Sequence, residues 1–421
     1  MSNSQKSLSM RNNVLWNSIG NLIYWGSSWL TTILVVRLGS YELAGILSLA
    51  MSVSSTIYCI SAYGVYNYQV SDLKNQYTPD DYMSMRIISA ILGYLICIIL
   101  CITQNYSLYQ VGCILLYMVY KTIECFVNVI QAEEQKAGRM DYIGKAYIIR
   151  GIGTLGVFII SMYVTEDLLI TIGVMCVYSL VVYGIYDLPK VHLILGKKYT
   201  ITSVHATSLL LSCLPMALYW LFNTLIPTIP KLAIEQILGT ELLGVYASIS
   251  SPLLIISMAA NFILTPLISP LSNYYFLNKF KEFKSASCKI FLGMIVCGGI
   301  CYVGGRIFIA PVLNILYGNY ILDYLNIAYY IVIVVVLSAI ISYLNIIFTI
   351  FRKLWLLVVL NGGASIVAWV ACNLFINNFG MQGANYALMI VYLLQIFIMI
   401  IVSLCIYTKW KSCSEEKHNE D

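Results

Sequence analysis

Residues 38–45 read Leu-Gly-Ser-Tyr-Glu-Leu-Ala-Gly, and residues 238–244 read Leu-Gly-Thr-Glu-Leu-Leu-Gly, one residue shorter. Each stretch lies between two long apolar runs, and six such runs separate the first stretch from the second. Because both stretches hold the same place in a group of six runs, the pattern predicts two six-helix halves of the same orientation. Parallel repeats of this kind are a transporter architecture, with the substrate site between the halves.

The composition excludes a soluble protein. Of the 421 residues, 60% are hydrophobic and only 10% are charged, and the mean hydropathy is +0.82, whereas soluble domains carry about 25% charged residues. The apolar runs are about 20 residues long, which is enough to cross about 30 Å of hydrocarbon. The sequence therefore predicts an all-α integral membrane protein whose surroundings are the lipid bilayer. It excludes a soluble enzyme, a nucleic-acid binder and a secreted disulfide scaffold.

Turn signals and charges divide the chain into twelve predicted transmembrane helices. They lie near 14–36, 44–67, 83–104, 108–131, 142–164, 167–187, 205–227, 242–265, 286–309, 325–349, 354–376 and 383–407. With the N-terminus in the cytoplasm, nineteen of the 24 Lys and Arg residues fall on the cytoplasmic side, and only Arg37, Lys231 and Arg306 fall on the other. This bias predicts that both termini are cytoplasmic.

The spans and the repeat predict four segments of the chain. They are an N-terminal six-helix lobe (1–187), a cytoplasmic inter-lobe linker (188–204), a C-terminal six-helix lobe (205–408) and a cytoplasmic polar tail (409–421). The connections between spans are short, with little room for an external catalytic site. The cysteines occur singly in apolar runs without paired histidines, so no metal site is predicted. No catalytic motif or cofactor site is predicted either.

Three charges fall deep inside predicted spans: Lys121 and Glu124 in the fourth, and Arg150 in the fifth. A charge at mid-span costs about 2.5–3.5 kcal/mol on insertion scales, so it normally faces protein or water. At 1.5 Å per residue, all three lie at similar depths of about 10–15 Å. Glu124 can form a structural ion pair with Arg150 or with Lys121. Alternatively, one cation is in excess and faces a cavity, where it attracts an anionic head group.

Other polar residues suggest a cavity or an exit path. Asn17, Asn21 and Tyr24 share one stripe of the first span, where they either hold helices together or line a wet cavity. Arg37 and Lys231 lie at the outer ends of the first and seventh spans. Their side chains either snorkel to the interface or form a cationic exit region for a phosphate-bearing substrate.

The twelve spans, the two lobes, the short loops and the repeated Leu-Gly motif resemble a known group over essentially the whole chain. The chain is similar to polysaccharide-repeat flippases (the Wzx, or O-antigen translocase, type) of the multidrug/oligosaccharidyl-lipid/polysaccharide (MOP) exporter superfamily. The resemblance implies movement of undecaprenyl-pyrophosphate-linked oligosaccharide repeat units, by alternating access, from the cytoplasmic to the periplasmic leaflet of a bacterial inner membrane. It implies a role in O-antigen, lipopolysaccharide or other surface-polysaccharide biosynthesis. A polysaccharide polymerase and a chain-length regulator are the expected protein partners.

The resemblance also assigns roles to the polar residues. The substrate-binding residues would be Lys121, Arg150, Arg37, Lys231, Asn17, Asn21 and Tyr24. Glu124 would serve either in coupling to a cation or in an ion pair. One alternative is a cation-coupled multidrug exporter of the same superfamily, although such exporters tend to carry a carboxylate in the first or seventh span, where this chain has none before Glu235. The other alternative is a membrane polymerase or glycosyltransferase of surface polysaccharide.

Overall fold

A computed structural model describes residues 8–72, 76–200, 206–264 and 267–420. Side chains at 206–207, 254–263, 269, 411 and 413–420 are outside the described set. The first nine helices are α1 (Met10–Leu38), α2 (Tyr41–Ala62), α3 (Val65–Ser71), α4 (Pro79–Thr103), α5 (Leu108–Lys136), α6 (Met140–Thr165), α7 (Leu168–Val182), α8 (Leu188–Leu195) and α9 (Ala206–Leu238). The other six are α10 (Thr240–Leu264), α11 (Ile268–Phe276), α12 (Phe280–Tyr317), α13 (Leu325–Ile350), α14 (Leu354–Phe379) and α15 (Met381–Glu420). A π-helical turn, Tyr183–Asp187, joins α7 to α8, and a 3₁₀ turn, Asn319–Tyr324, precedes α13.

Eleven helical segments of the described chain are long and apolar enough to cross a membrane. They coincide with eleven of the twelve predicted spans. The remaining predicted span, 242–265, coincides with α10, where ten side chains are outside the described set. The predicted fold class is confirmed: the chain is an all-α, multi-pass membrane protein.

The repeated Leu-Gly motif forms a tight connection between two long helices in both places. After α1, Gly39 is followed by Ser40, whose hydroxyl accepts a hydrogen bond from the Leu43 N–H (3.2 Å) and so caps α2. After α9, Gly239 has a φ of +95°, a backbone conformation that favours glycine because it has no Cβ. At Gly39 the constraint is space, since a Cβ would lie 2.9 Å from the Val35 carbonyl oxygen. One sequence motif thus meets two different backbone requirements.

The helices form two compact units, 1–228 and 229–421, and the division falls inside α9. In the N-terminal unit, α1 lies along α6 with very close backbones. A Cβ on Gly20 would lie 2.6 Å from the Gly144 Cα, and a Cβ on Gly151 would lie 2.9 Å from the Tyr24 Cα. Small residues at such crossings allow van der Waals contact in a solvent that offers no hydrophobic driving force. This packing brings Tyr24 beside the charged residues of α5 and α6.

Part of the predicted linker 188–204 is helical, because it contains α8. The segment after α8 is bound to the start of α4 through the carboxylate of Asp80, which accepts hydrogen bonds from the Lys197 ammonium and from the Thr200 N–H and hydroxyl (3.0 and 2.9 Å). The described part of the predicted linker, 188–200, therefore belongs to the N-terminal unit and is held to α4 by polar contacts, while 201–204 lie outside the described residues.

The C-terminal unit holds its helices together with neutral polar side chains. Asn361 of α14 is fully buried; its amide nitrogen lies 3.4 Å from the Asn345 Oδ1 of α13, and its Oδ1 accepts a hydrogen bond from Gln395 of α15 (3.0 Å). The Tyr246 hydroxyl of α10 donates to the Asn385 Oδ1 of α15 (3.1 Å). These contacts link four helices without a charge.

Candidate functional site

One face of α5 carries a cluster of polar side chains that we call the α5 cluster: Lys121, Glu124 and Asn128, with Tyr24 of α1 and Tyr58 of α2. The Lys121 ammonium donates to Glu124 Oε2 (2.7 Å), and the Tyr24 hydroxyl donates to Glu124 Oε1. The Asn128 amide donates to the Tyr58 hydroxyl (2.6 Å). Steps of three and four residues place the α5 members on one side of the helix, as the sequence pattern predicts.

The Lys121 ammonium lies among aromatic rings. It is 5.7, 5.9 and 5.8 Å from the ring centroids of Tyr58, Tyr117 and Tyr120, which is within cation–π range. Its side chain keeps 16% of its surface exposed. Lys121 is therefore a cation inside a predicted transmembrane helix that is still accessible from outside the packed core.

Arg150 of α6 has a different environment. It is buried, its Nη1 donates to the Ser179 hydroxyl (2.8 Å), and its Nη2 donates to the Asp187 carboxylate in the π-helical turn. Glu124 pairs with Lys121, which is one of the two ion pairs that the sequence allows for it, whereas Arg150 pairs with Asp187. With Asp187 included, Lys121, Glu124, Arg150 and Asp187 balance in charge, so this group of four leaves no cation in excess.

A small cavity of about 20 Å³ separates the α5 cluster from Arg150, with room for about one water molecule. Tyr24, Tyr117, Tyr120 and Arg150 all contribute to its wall. The rest of the wall consists of Ser27, Ser28, Thr31, Leu47, Met51, Gly151, Thr154, Leu155 and Met175. In this conformation the cavity is too small for a sugar or a phosphate, so a substrate of that size requires the helices to separate.

The structure places the other predicted site residues elsewhere. The Asn21 amide donates to the Asn17 carbonyl and side-chain oxygens (2.8 and 2.9 Å), so these two bind each other along α1 and do not line the cavity. Arg37 is exposed in the last turn of α1, where a cation interacts favourably with the helix dipole. Lys231 is partly buried in α9.

Sequence reasoning missed several residues of this region. Asp187 has a signal as an acidic residue at the end of a predicted span, and Tyr120 has one as the residue next to Lys121 in the sequence. Tyr58 lies on another helix and has no such signal. Arg86 of α4 is fully buried and donates to the Ser61 carbonyl in the last turn of α2. In the part of the chain that the structure describes, its Nε and Nη2 have no hydrogen-bond partner.

Arg139, which lies outside the predicted spans, has a shifted pKa. The Arg139 guanidinium, between α5 and α6, donates to both oxygens of Asp141 (2.8 and 3.0 Å). This hydrogen bonding raises the pKa of Arg139 above its ordinary value. Arg139 therefore stays charged and remains paired with Asp141.

Solved structures similar to this chain are transporters. A multidrug resistance MATE-family transporter of the MOP superfamily aligns with a TM-score of 0.65 in its inward-facing conformation, at 13% identity and over 95% of this chain and 99% of the other. An outward-facing conformation of such a transporter aligns with a TM-score of 0.59, at 16% identity and over 94% and 95%. The fold is that of MOP-superfamily transporters. A MOP-superfamily transporter from Pyrococcus furiosus, described as having a binding pocket of reverse polarity that suggests a different function, aligns with a TM-score of 0.55 at 13% identity, over 94% and 95%.

Sequence comparison also gives a relative. The capsular polysaccharide biosynthesis protein CapF of Staphylococcus aureus is 23% identical over 309 residues, which are 72% of this chain and 76% of CapF. No family model matches the chain.

Proposed function

We propose that this chain is a flippase that translocates undecaprenyl-pyrophosphate-linked oligosaccharide repeat units from the cytoplasmic to the periplasmic leaflet by alternating access. The observation that carries the proposal is Lys121, a partly exposed ammonium that is paired with Glu124 and lies among three tyrosine rings inside a predicted transmembrane helix. A pyrophosphate in low dielectric requires a cationic partner, and tyrosines offer sugars both a stacking face and a hydroxyl. The transporter fold and the CapF relative, whose name refers to capsular polysaccharide, support the same proposal.

The proposal includes a location and partners. The protein would lie in a bacterial inner membrane with both termini in the cytoplasm, and would supply a polysaccharide polymerase and its chain-length regulator with repeat units. The repeat units would belong to O-antigen, capsule or a similar surface polysaccharide.

A cation-coupled multidrug exporter is the second candidate, because similar solved structures are multidrug resistance transporters. The contacts of Glu124 argue against a role for this carboxylate in cation coupling, because one of its oxygens accepts a hydrogen bond from Lys121 and the other accepts one from Tyr24. A membrane polymerase or glycosyltransferase has less support, because the similar solved structures are transporters.

The first experiment determines the sidedness and length of lipid-linked glycan in cells that lack this protein. We expect intact single repeats to accumulate on the cytoplasmic face. Single repeats on the periplasmic face would indicate a polymerase or a ligase instead. An unchanged glycan pool, together with increased drug sensitivity, would favour the exporter.

A second experiment tests Lys121 directly. Lys121→Gln leaves Glu124 without its cation, so its effect on transport has two explanations. The double variant Lys121→Gln/Glu124→Gln removes both charges and serves as the control. If Lys121 binds the pyrophosphate, both variants lose transport while the double variant reaches wild-type abundance in the membrane. Transport by the double variant would assign Lys121 a structural role only.

A further inference from the structure

Glu134, near the C-terminal end of α5, has an unusual environment for a carboxylate. Its residue is 1% exposed, and neither of its carboxylate oxygens has a hydrogen-bond partner within the described ranges. The other buried carboxylates of the described chain all accept hydrogen bonds; they are Asp80, Asp81, Glu133, Asp141 and Asp187. An ionised carboxylate without such contacts is very costly to bury, and such a group usually becomes neutral by taking up a proton.

The charges around Glu134 do not replace the missing hydrogen bonds. Two carboxylates lie within electrostatic range of it, Asp187 in the π-helical turn and Asp141 in α6. Like charges disfavour ionisation, although each of these two carboxylates is itself paired with an arginine. Two cations also lie within electrostatic range, Arg139 and Lys190, but Arg139 is paired with Asp141.

Lys190 of α8 forms no ion pair within 4.0 Å with a carboxylate of the described chain. Its ammonium lies 5.1 Å from the ring centroid of Tyr142 and 6.0 Å from that of Tyr186. Three tyrosines also lie within electrostatic range of Glu134: Tyr186 from the π-helical turn, Tyr66 from α3 and Tyr199 from the segment after α8.

We propose that Glu134 is a proton-binding site of the N-terminal unit, which holds a proton in this conformation and releases it when α5 and α8 rearrange. On release, the carboxylic acid loses H⁺ to water and the resulting carboxylate pairs with the Lys190 ammonium. No electron transfer or further reactant is needed. The proposal that Glu134 binds a proton depends only on its burial and on its lack of hydrogen-bond partners within the described ranges. The proposal that it releases the proton during a transport cycle rests on the proposed function.

The adjacent residue provides a matched control. Glu133 is also buried, but it accepts a hydrogen bond from the Gln69 amide (2.7 Å) and lies 3.9 Å from the Lys136 ammonium. Glu134→Gln and Glu133→Gln change the same atoms one position apart. The amide resembles a protonated carboxyl in shape, so Glu134→Gln is expected to fold.

The first test uses purified full-length protein in lipid nanodiscs and infrared spectroscopy of protonated carboxyl groups near neutral pH. We expect wild-type protein and Glu133→Gln to show a protonated-carboxyl C=O band that Glu134→Gln has lost. Persistence of the complete band in Glu134→Gln overturns the proposal. As a measurement that needs no variant, wild-type protein is treated with an apolar carbodiimide, which reacts with protonated carboxyls, and analysed by mass spectrometry. Modification at Glu134 and not at Glu133 supports the proposal, and the reverse overturns it.

The second test measures transport of lipid-linked glycan in proteoliposomes with and without an imposed proton gradient. We expect wild-type transport to respond to the gradient and Glu134→Gln transport to lose that response. Wild-type transport that ignores the gradient overturns the release step. If the infrared band depends on Glu134 but wild-type protein moves no lipid-linked glycan, the proposed function fails and the proton site stands.

Discussion

The two units of this protein solve the problem of burying polar groups in opposite ways. In the N-terminal unit, the buried polar set includes many charged side chains: Asp80, Asp81, Arg86, Glu133, Glu134, Arg139, Asp141, Arg150 and Asp187. In the described part of the C-terminal unit, every buried polar side chain is neutral: Ser248, Ser251, Asn345, Asn361, Ser365, Asn385 and Gln395.

The difference separates two uses of polarity in an apolar fold. Neutral amides and hydroxyls such as Asn361 can join helices at modest cost, since a neutral hydrogen bond contributes about 0.5–1.5 kcal/mol. Buried ion pairs contribute little net stability to helix packing, because the cost of desolvating both charges offsets much of the attraction within the pair. These buried charges are concentrated in the unit that also contains Lys121 and its tyrosines. We therefore expect charge-removing substitutions to have larger effects in the N-terminal unit than in the C-terminal unit.

The largest expected effect comes from breaking the Arg150–Asp187 pair. Arg150→Met leaves the Asp187 carboxylate buried without its cation, which should lower the free energy of unfolding by about 3–5 kcal/mol. We expect lower abundance in the membrane and a lower midpoint of thermal unfolding in detergent.

The control is Arg150→Met/Asp187→Asn, in which both charges are gone and most of the lost stability should return. A double variant as unstable as the single one would contradict the assignment of a balanced pair. If the double variant is stable, its transport activity also decides whether Arg150 contacts the substrate or only braces α6 against α7.

An intermediate effect is expected from removing the hydrogen bond between the Tyr24 hydroxyl and the Glu124 carboxylate. Tyr24→Phe removes the hydroxyl that donates to Glu124 Oε1 and keeps the ring. Because hydrogen bonds to charged groups contribute about 1.5–3 kcal/mol, stability should fall by about that amount. Denaturant titration of the purified protein measures it, and an unchanged midpoint would show that the Lys121 contact alone is enough for Glu124.

The smallest effect is expected from the equivalent change in the neutral unit. Tyr246→Phe removes a hydroxyl that donates to the neutral Asn385 Oδ1, so the expected loss is about 0.5–1.5 kcal/mol. The same titration provides the comparison with Tyr24→Phe. Equal losses in the two variants would show that charge adds nothing to the contact at Tyr24.

The sequence predicts the spans well because a transmembrane helix is defined by a long apolar run, which the chain shows plainly. It predicts helix ends less well. For example, the span predicted over 286–309 is shorter than the helix that contains it, α12 (Phe280–Tyr317). Polar residues such as Lys281 and Lys284 extend the helix beyond the apolar run that the prediction detects. Short α8 and α11 were not predicted, since neither has the length of a span.

The candidate site was predictable where its contacts lie on one helix. Lys121 and Glu124 are three residues apart on α5, and that spacing alone brings them within reach of each other. The Arg150–Asp187 pair depends on how α6 packs against α7 and on the turn that follows α7, neither of which has a periodic signal. The missing partners of Glu134 are a property of packing and leave no trace in the sequence.

The π-helical turn at Tyr183–Asp187 sets an angle as well as a length. Each residue of an α-helix advances the chain by about 100° around its axis, and a π turn accommodates one residue more than an α turn does. That extra residue orients Asp187 toward Arg150 and turns the following helix so that Lys190 faces Tyr142. The deletion of one residue here would keep every other side chain, yet it would rotate the side chains of α8 by about 100° around the helix axis.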